Sequence, residues 1–337
     1  MRGPVFVSLP LKSTLKRGAL VAAANWPVVL IQAIADSLFK VLIAMPLVGG
    51  IFLVALVVGA EPGALMSLGW RELIATVIGS LLSRPVVLLA FLAALISVVI
   101  GGSLFVFLVK GGTIAVLVRS EQGAGPLEQP PLRFHLVRAA SAFSLERFVD
   151  AAQSLWPRFA RLGSGLMVVY LASAGAYLAA VFGGWTADTW ALAALLTGTF
   201  VAWITIVNLV YLLMQIVIAA DDCGVAAAWR RVAAFVRRRR RDVVAIFLVV
   251  LALVVCATGA SLLATAALGL ISFVPLLGLT VLPLQLIAWL FRALVFQYLG
   301  LASVGAYVHL YRGLAVTAPA EADVMHRYET MRPGDAT

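Results

Sequence analysis

The chain has 337 residues, 63% of them hydrophobic and only 12% charged, with a mean hydropathy of +1.06. Soluble domains carry about 25% charged residues, so this composition excludes an ordinary water-soluble fold and calls for lipid as the surrounding solvent. The formal net charge of +10 reads as Lys and Arg gathered in loops on one side of a membrane, so no nucleic-acid partner is expected.

Residues 1–17 carry Arg2, Lys12, Lys16 and Arg17 and no acid, which by the positive-inside rule keeps them in the cytoplasm. No small-residue cleavage site follows, so this N-terminal segment is expected to be retained. The apolar segment Gly18 to Ala60 is broken by Asp36 and Lys40. As one helix it would measure about 63 Å, roughly twice the hydrocarbon thickness. The first span therefore starts either near Trp26, with a bend at Pro46 and Gly49-Gly50, or at Val41. Glu61 to Arg84, with Trp70 at its middle, is expected outside. Pro85 to Val109 is a second span, ended by Lys110.

A long inner connection follows, with a Gly/Pro-rich turn over Gly123 to Pro131 and then a helix from Ser144. Leu145, Phe148, Val149, Ala152, Leu155, Trp156 and Phe159 recur at helical spacing, with Glu146, Arg147, Asp150 and Arg158 opposite them. That pattern suits a helix lying in the headgroup plane, and equally one packed on neighbouring helices. Leu162 to Ala187 and Thr189 to Ala220 form the third and fourth spans around an outer turn at Gly183-Gly184 and Asp188. Gly224 to Arg238 repeats the amphipathic theme. Val243 to about Leu268 is the fifth span, and no charged residue interrupts the sequence from Val243 to Phe291. Pro275, Gly278 and Pro283 mark an outer turn, and the sixth span runs from about Pro283 to Tyr311.

The expectation is an all-α polytopic membrane bundle. It has about six transmembrane helices, amphipathic interfacial helices on the cytoplasmic side, and both termini in the cytoplasm of a bacterium bounded by its inner membrane. A single transmembrane domain over 1–317 and a polar tail over 318–337 complete it. Leu11 to Ala24, Leu145 to Phe159 and Val225 to Val236 each precede an odd-numbered span, and the first two adjoin Trp-Pro steps (Trp26-Pro27, Trp156-Pro157). Three helix-plus-hairpin units would follow from true repetition.

Arg292 sits about nine residues into the sixth span, at a depth where an ionisable group marks a functional or pairing site. Asp36 and Lys40 share a helix face and can pair with each other. With the first span starting at Trp26, Asp36 can instead reach Arg292. Asn208, Tyr211 and Gln215 lie on adjacent turns of the fourth span, as inter-helix glue or as a substrate cluster. Arg230, Arg231, Arg237, Arg238, Arg239, Arg240 and Arg241 are placed to meet anionic headgroups, each contributing about 1 kcal/mol near the surface. Cys223 and Cys256 read as free thiols, and the three histidines show no metal-ligand spacing, so no metal or other cofactor is expected. The sequence contains no HExxH, GxSxG or GxxxxGK[ST] motif.

Three stretches carry a resemblance. They are Lys110-Gly-Gly-Thr-Ile with Phe143-Ser-Leu-Glu-Arg-Phe, Ala219-Ala-Asp-Asp-Cys-Gly-Val-Ala-Ala-Ala-Trp-Arg-Arg, and Ala306-Tyr-Val-His-Leu-Tyr-Arg. They resemble a group of six-helix bacterial membrane proteins of unknown function, akin to the membrane domain fused to some glycerophosphodiester phosphodiesterases. The group's acidic residue, Gly-Val and Arg-bearing helix after the fourth span match Asp222 to Arg231. The hydrolase domain has no counterpart here, so the resemblance implies no phosphodiesterase activity. A non-enzymatic scaffold or accessory subunit is expected, binding anionic lipid, other membrane proteins or a second copy of itself. The alternative is a small-solute or lipid transporter using the polar faces of spans one, four and six.

Overall fold

The computed structural model describes residues 11–58, 69, 72, 79, 82–128, 134–182, 189–272 and 278–330. Among them are eight helices and no strand: α1 (Leu11–Ala24), α2 (Trp26–Val58), α3 (Pro85–Gly123), α4 (Phe134–Ala139), α5 (Leu145–Phe182), α6 (Trp190–Asp221), α7 (Val225–Ser272) and α8 (Gly278–Thr330). Six of these, α2, α3, α5, α6, α7 and α8, contain windows long and apolar enough to cross a membrane. Helices are the form such a chain takes, because in lipid each backbone polar group must find its partner within the segment. The protein is an all-α, multi-pass membrane bundle.

The long helices pair as antiparallel hairpins. Phe39 of α2 lies against Gly102 of α3, and Phe91 of α3 against Gly50 of α2. Between α5 and α6 the rings of Tyr177 and Phe200 stack at 4.6 Å, and Trp203 Nε1 donates to Ser173 Oγ at 2.9 Å. The α7–α8 pair is tied by the Tyr307 hydroxyl donating to the Val243 carbonyl at 3.3 Å. Short α1 crosses the end of α8 where two glycines meet. A Cβ on Gly18 would stand 2.4 Å from the Ala302 carbonyl oxygen, and one on Gly305 would stand 3.0 Å from Gly18 Cα. Only hydrogen at both positions lets the backbones touch. Gly112 of α3 does the same for Phe148 of α5.

Of the two starts left open for the first span, Trp26 is the one observed, with Pro46 inside the helix. Several other boundaries differ from the sequence reading. Lys110 does not end the second span, because α3 continues to Gly123 with Thr113 to Val118 buried. Its last turns are enclosed by protein rather than exposed at a surface, so apolarity there reports a core. The amphipathic stretches from Leu145 and Val225 are the first turns of α5 and α7, not separate interfacial helices. Phe148, Ala152, Leu155 and Phe159 are buried, as are Ala228, Val232 and Phe235, so these faces pack on neighbouring helices. Pro157 remains inside α5, whereas Pro27 opens α2 after the break at Asn25, and α7 kinks at Arg239 (φ −121°, ψ 32°). The three proposed repeat units thus differ at the same point: one breaks, one runs through and one kinks. Helix α8 extends to Thr330, past the expected start of the tail. The outer turn at Gly183-Gly184 and Asp188, and most of Glu61 to Arg84, lie outside the described residues.

Packing is unequal along the bundle axis. The buried core draws on Val21 to Ala35, Val109 to Leu127, Phe148 to Leu162, Tyr211 to Ile246 and Leu301 to Leu310, which all lie toward one end. Toward the other end Leu92, Ile96, Leu171, Leu195, Leu263 and Phe291 are exposed. The tight end also carries α1, the arginine-rich start of α7 and the Tyr311-Arg312 turn of α8.

Candidate functional site

At the tight end, a buried ionic cluster joins three distant parts of the chain. Arg17 on α1 donates from Nε to Glu121 Oε1 of α3 at 2.6 Å and from Nη1 to Glu128 Oε2 at 2.8 Å. The same guanidinium caps the end of α3 by donating to the Gly125 and Ala124 carbonyls at 3.0 and 3.1 Å. His309 Nδ1 of α8 stands 2.8 Å from Glu121 Oε1. Lys16 Nζ donates to the Glu128 carbonyl. The Arg17 and Glu121 side chains are 9% and 3% exposed, so each charge depends on the other. Burial works to lower the Arg17 pKa, but the Glu121 charge and the bonds to Glu128 and Glu121 outweigh it and hold it above its ordinary value. Burial likewise works to raise Glu128. Its backbone hydrogen bond, then Arg17 and the His309 charge, bring that carboxyl below its ordinary value.

Beside the cluster, Asn25 occupies the α1–α2 break. Its Nδ2 donates to the Val21 carbonyl and to Ser120 Oγ, both at 2.9 Å, and its Oδ1 accepts from the Ala142 amide at 3.0 Å. Ser120 Oγ in turn donates a hydrogen bond to the Ala140 carbonyl. One fully buried side chain thus fixes the entry to α2, the end of α3 and the α4–α5 connection.

A second ionic group lies where α6 turns into α7. Asp222 takes a left-handed conformation (φ 48°, ψ 40°) at the C-cap of α6, a shape that Asp and Asn tolerate better than other side-chain-bearing residues. Its carboxylate accepts from Arg158. Asp221 accepts from Arg231 at 2.5 Å and from the Tyr311 hydroxyl at 2.6 Å. The neighbouring Cys223 thiol is pushed up by burial and stays protonated at neutral pH. Gly112 thus meets Phe148 within the first of the three stretches quoted above, and Asp221 and Arg231 of the second meet Tyr311 of the third.

The arginines chosen as headgroup ligands divide by geometry. Arg230, Arg237, Arg238, Arg240 and Arg241 are exposed, and Arg231 is exposed but paired. Arg239 departs from them. It marks the kink, its side chain is 10% exposed, and it pairs with Asp242 at 3.2 Å.

The intramembrane candidates do not converge. Asp36 pairs with Lys40 at 2.6 Å on its own helix and makes no ion pair with Arg292, although α2 begins at Trp26. Asn208 accepts from the Tyr170 hydroxyl of α5, so it ties one hairpin together. Gln215 is 2% exposed, and its Nε2 has no partner among the described residues. Lys110 lies over the Tyr211 ring, 5.4 Å from its centroid.

Arg292 is different. Its guanidinium lies 5.6 Å from the Phe296 ring of its own helix and makes no ion pair among the described residues. It lines a cleft of about 640 Å³ between α7 and α8. Small residues (Ala257, Ala260, Ser261, Ala264) form one wall, and Trp289 and Phe296 belong to the other. Small side chains on one helix and an uncompensated cation on the next leave room for another helix to approach closely.

No family model matches the chain, and no curated protein or solved structure matches it.

Sequence reasoning missed the Arg17–Glu121–His309 cluster, whose members are 104 and 188 residues apart. One signal was present: Glu121 is a lone acid closing a long apolar helical run, a place where a carboxylate needs a buried partner.

Proposed function

We propose that this protein is a non-enzymatic membrane scaffold or accessory subunit that receives a transmembrane segment of another membrane protein in the α7–α8 cleft. The observation that carries this reading is Arg292, a cation in an apolar cleft whose described company is an aromatic ring. An arginine near the middle of a span costs about 2.5–3.5 kcal/mol by insertion scales, and a carboxylate on an incoming helix would offset much of that. The packed end serves as the rigid platform, held by the Arg17–Glu121–Glu128 and Asp221–Arg231 pairs. The loosely packed end offers apolar helix faces sideways to the bilayer. The expected setting is a bacterial inner membrane, with the arginine-rich edge on the cytoplasmic side by the positive-inside rule. The six-helix group named above is the resemblance that accompanies this reading.

Photocrosslinking from Ala264 and Trp289 in native membranes tests it. The expected product is one discrete protein adduct whose partner carries an Asp or Glu within a transmembrane segment. Arg292→Leu should abolish the adduct, and Arg292→Lys should keep part of it. Adducts to lipid alone, or an adduct indifferent to Arg292→Leu, would refute the reading. Rapid modification of a cysteine placed at Ala288 by a charged, membrane-impermeant thiol reagent would favour transport instead.

A further inference from the structure

We propose that the groove bounded by α5, α6 and the start of α7 is a binding site for one anionic glycerophospholipid, with its phosphate at Arg161 and one acyl chain running toward Trp203. The groove encloses about 480 Å³ and is lined chiefly by apolar side chains, with Arg161, Leu166, Trp203, Tyr211 and Trp229 among them. It is remote from Arg292, and its occupant is independent of whatever fills the α7–α8 cleft.

The chemistry changes along the groove in the order a phospholipid needs. Arg161 lies at the tight end and is exposed, with no ion pair among the described residues. It sits one turn from Arg158, whose charge is already taken by Asp222. In the antiparallel α5–α6 pair, Asn208 meets Tyr170 and Trp203 meets Ser173. That register places Tyr211 beside Leu166, about 7 Å deeper than Arg161 at 1.5 Å per residue. Tyr211 is 7% exposed; its hydroxyl makes no well-formed hydrogen bond among the described residues, and the Gln215 side chain, one turn on, stands close enough to influence it. A buried hydroxyl without a well-formed bond costs about 1–3 kcal/mol, so a small turn of Tyr211 toward an acceptor in the groove would be favourable. The glycerol ester carbonyls of a lipid lie just below its phosphate and supply one. From Tyr211 to Trp203 is eight residues, about 12 Å, close to the depth of one hydrocarbon leaflet. Over that length the wall carries Val207, Ile206 and Val169, with Gly165 opening space beside them. Trp229 flanks the mouth at the level where amphipathic rings settle. The Lys110 side chain backs the Tyr211 ring, and the Arg161 charge at the mouth selects an anionic headgroup over a zwitterionic one.

The test uses the full chain in nanodiscs containing brominated lipids, which quench tryptophan on contact. The groove's share of the signal is the part lost in Trp203→Phe. Dibromo-phosphatidylglycerol is expected to quench that share at about one-fifth of the mole fraction dibromo-phosphatidylcholine requires. Arg161→Gln should make the two lipids equal. Gly165→Leu fills the groove at a position where a Cβ meets nothing within 4 Å. It should abolish the preference for phosphatidylglycerol at Trp203 while leaving the unfolding transition unchanged. Equal quenching by both lipids in the unaltered protein would mean ordinary surrounding lipid and overturn the site. So would an anionic preference that survives Arg161→Gln, or a Trp203 that neither lipid reaches because a second protein chain covers it.

Discussion

Replacing Arg17 by Met tests whether the tight end is held by charge or merely decorated with it. Methionine keeps much of the apolar stem and removes the guanidinium, so packing changes little while four donated hydrogen bonds disappear. These are the bonds to Glu121, Glu128, Gly125 and Ala124. The Glu121 carboxylate would remain 3% exposed with His309 as its remaining hydrogen-bond partner and the Arg312 charge near it, and its Oε2 already lacks a hydrogen bond. Breaking a buried pair from one side costs about 3–5 kcal/mol because the surviving charge is uncompensated. With His309 still 2.8 Å away, the lower end of that range, about 3 kcal/mol, is expected. Glu121→Leu should cost less, about 1–2 kcal/mol, because Arg17 keeps Glu128 and the Gly125 and Ala124 carbonyls. The double variant should recover most of the loss, since two apolar residues leave no buried charge, giving a coupling of about 2 kcal/mol or more. Reversible unfolding by SDS titration in mixed micelles, followed by tryptophan fluorescence, measures all three. A loss below about 1 kcal/mol for Arg17→Met, or effects that add within about 0.5 kcal/mol, would refute the reasoning.

Gly18→Val should separate α1 from α8, because its new carbon would fall 2.4 Å from a backbone oxygen that cannot rotate away. A loss of about 3 kcal/mol and faster proteolysis within α1 are expected, while Gly165→Val, in open space, should cost little. Asp222→Val should destabilise the α6–α7 turn by about 1–2 kcal/mol in the same SDS titration, with Asp222→Asn nearly neutral, because only the first forces a β-branched residue into the left-handed region. The Glu128 carboxyl titrates below its ordinary value of 4.5 in the fold. Its contribution is therefore fully present above pH 4.5 and is lost as pH falls through the lower folded value. Stability measured between pH 6 and pH 3 should fall more steeply in the unaltered protein than in Glu128→Gln, and equal slopes would contradict the assignment.

The class of this protein was settled by its composition. Six apolar windows separated by charge or by Gly and Pro appear as six long helices, because desolvation of the backbone in lipid depends on local sequence alone. The Trp26 start of α2 was among the alternatives the sequence left open. The ends of α3, α5 and α7 were beyond it. Apolar side chains around Val116 and on the Phe148 face look the same whether lipid or protein covers them, so hydropathy cannot separate a span from its packed extension. Long-range pairing was hidden for a similar reason. Arg17, Glu121 and His309 are unremarkable one at a time, and only the glycine contact between α1 and α8 and the close approach of α3 to α5 bring them within bonding distance. Asp36 shows the converse. Its helix starts where a bridge to Arg292 would need it to, yet Lys40, one turn away, captures the carboxylate first. Local sequence decides which segments leave water, whereas tertiary packing decides which charges meet, since meeting depends on distances that the order of residues does not encode.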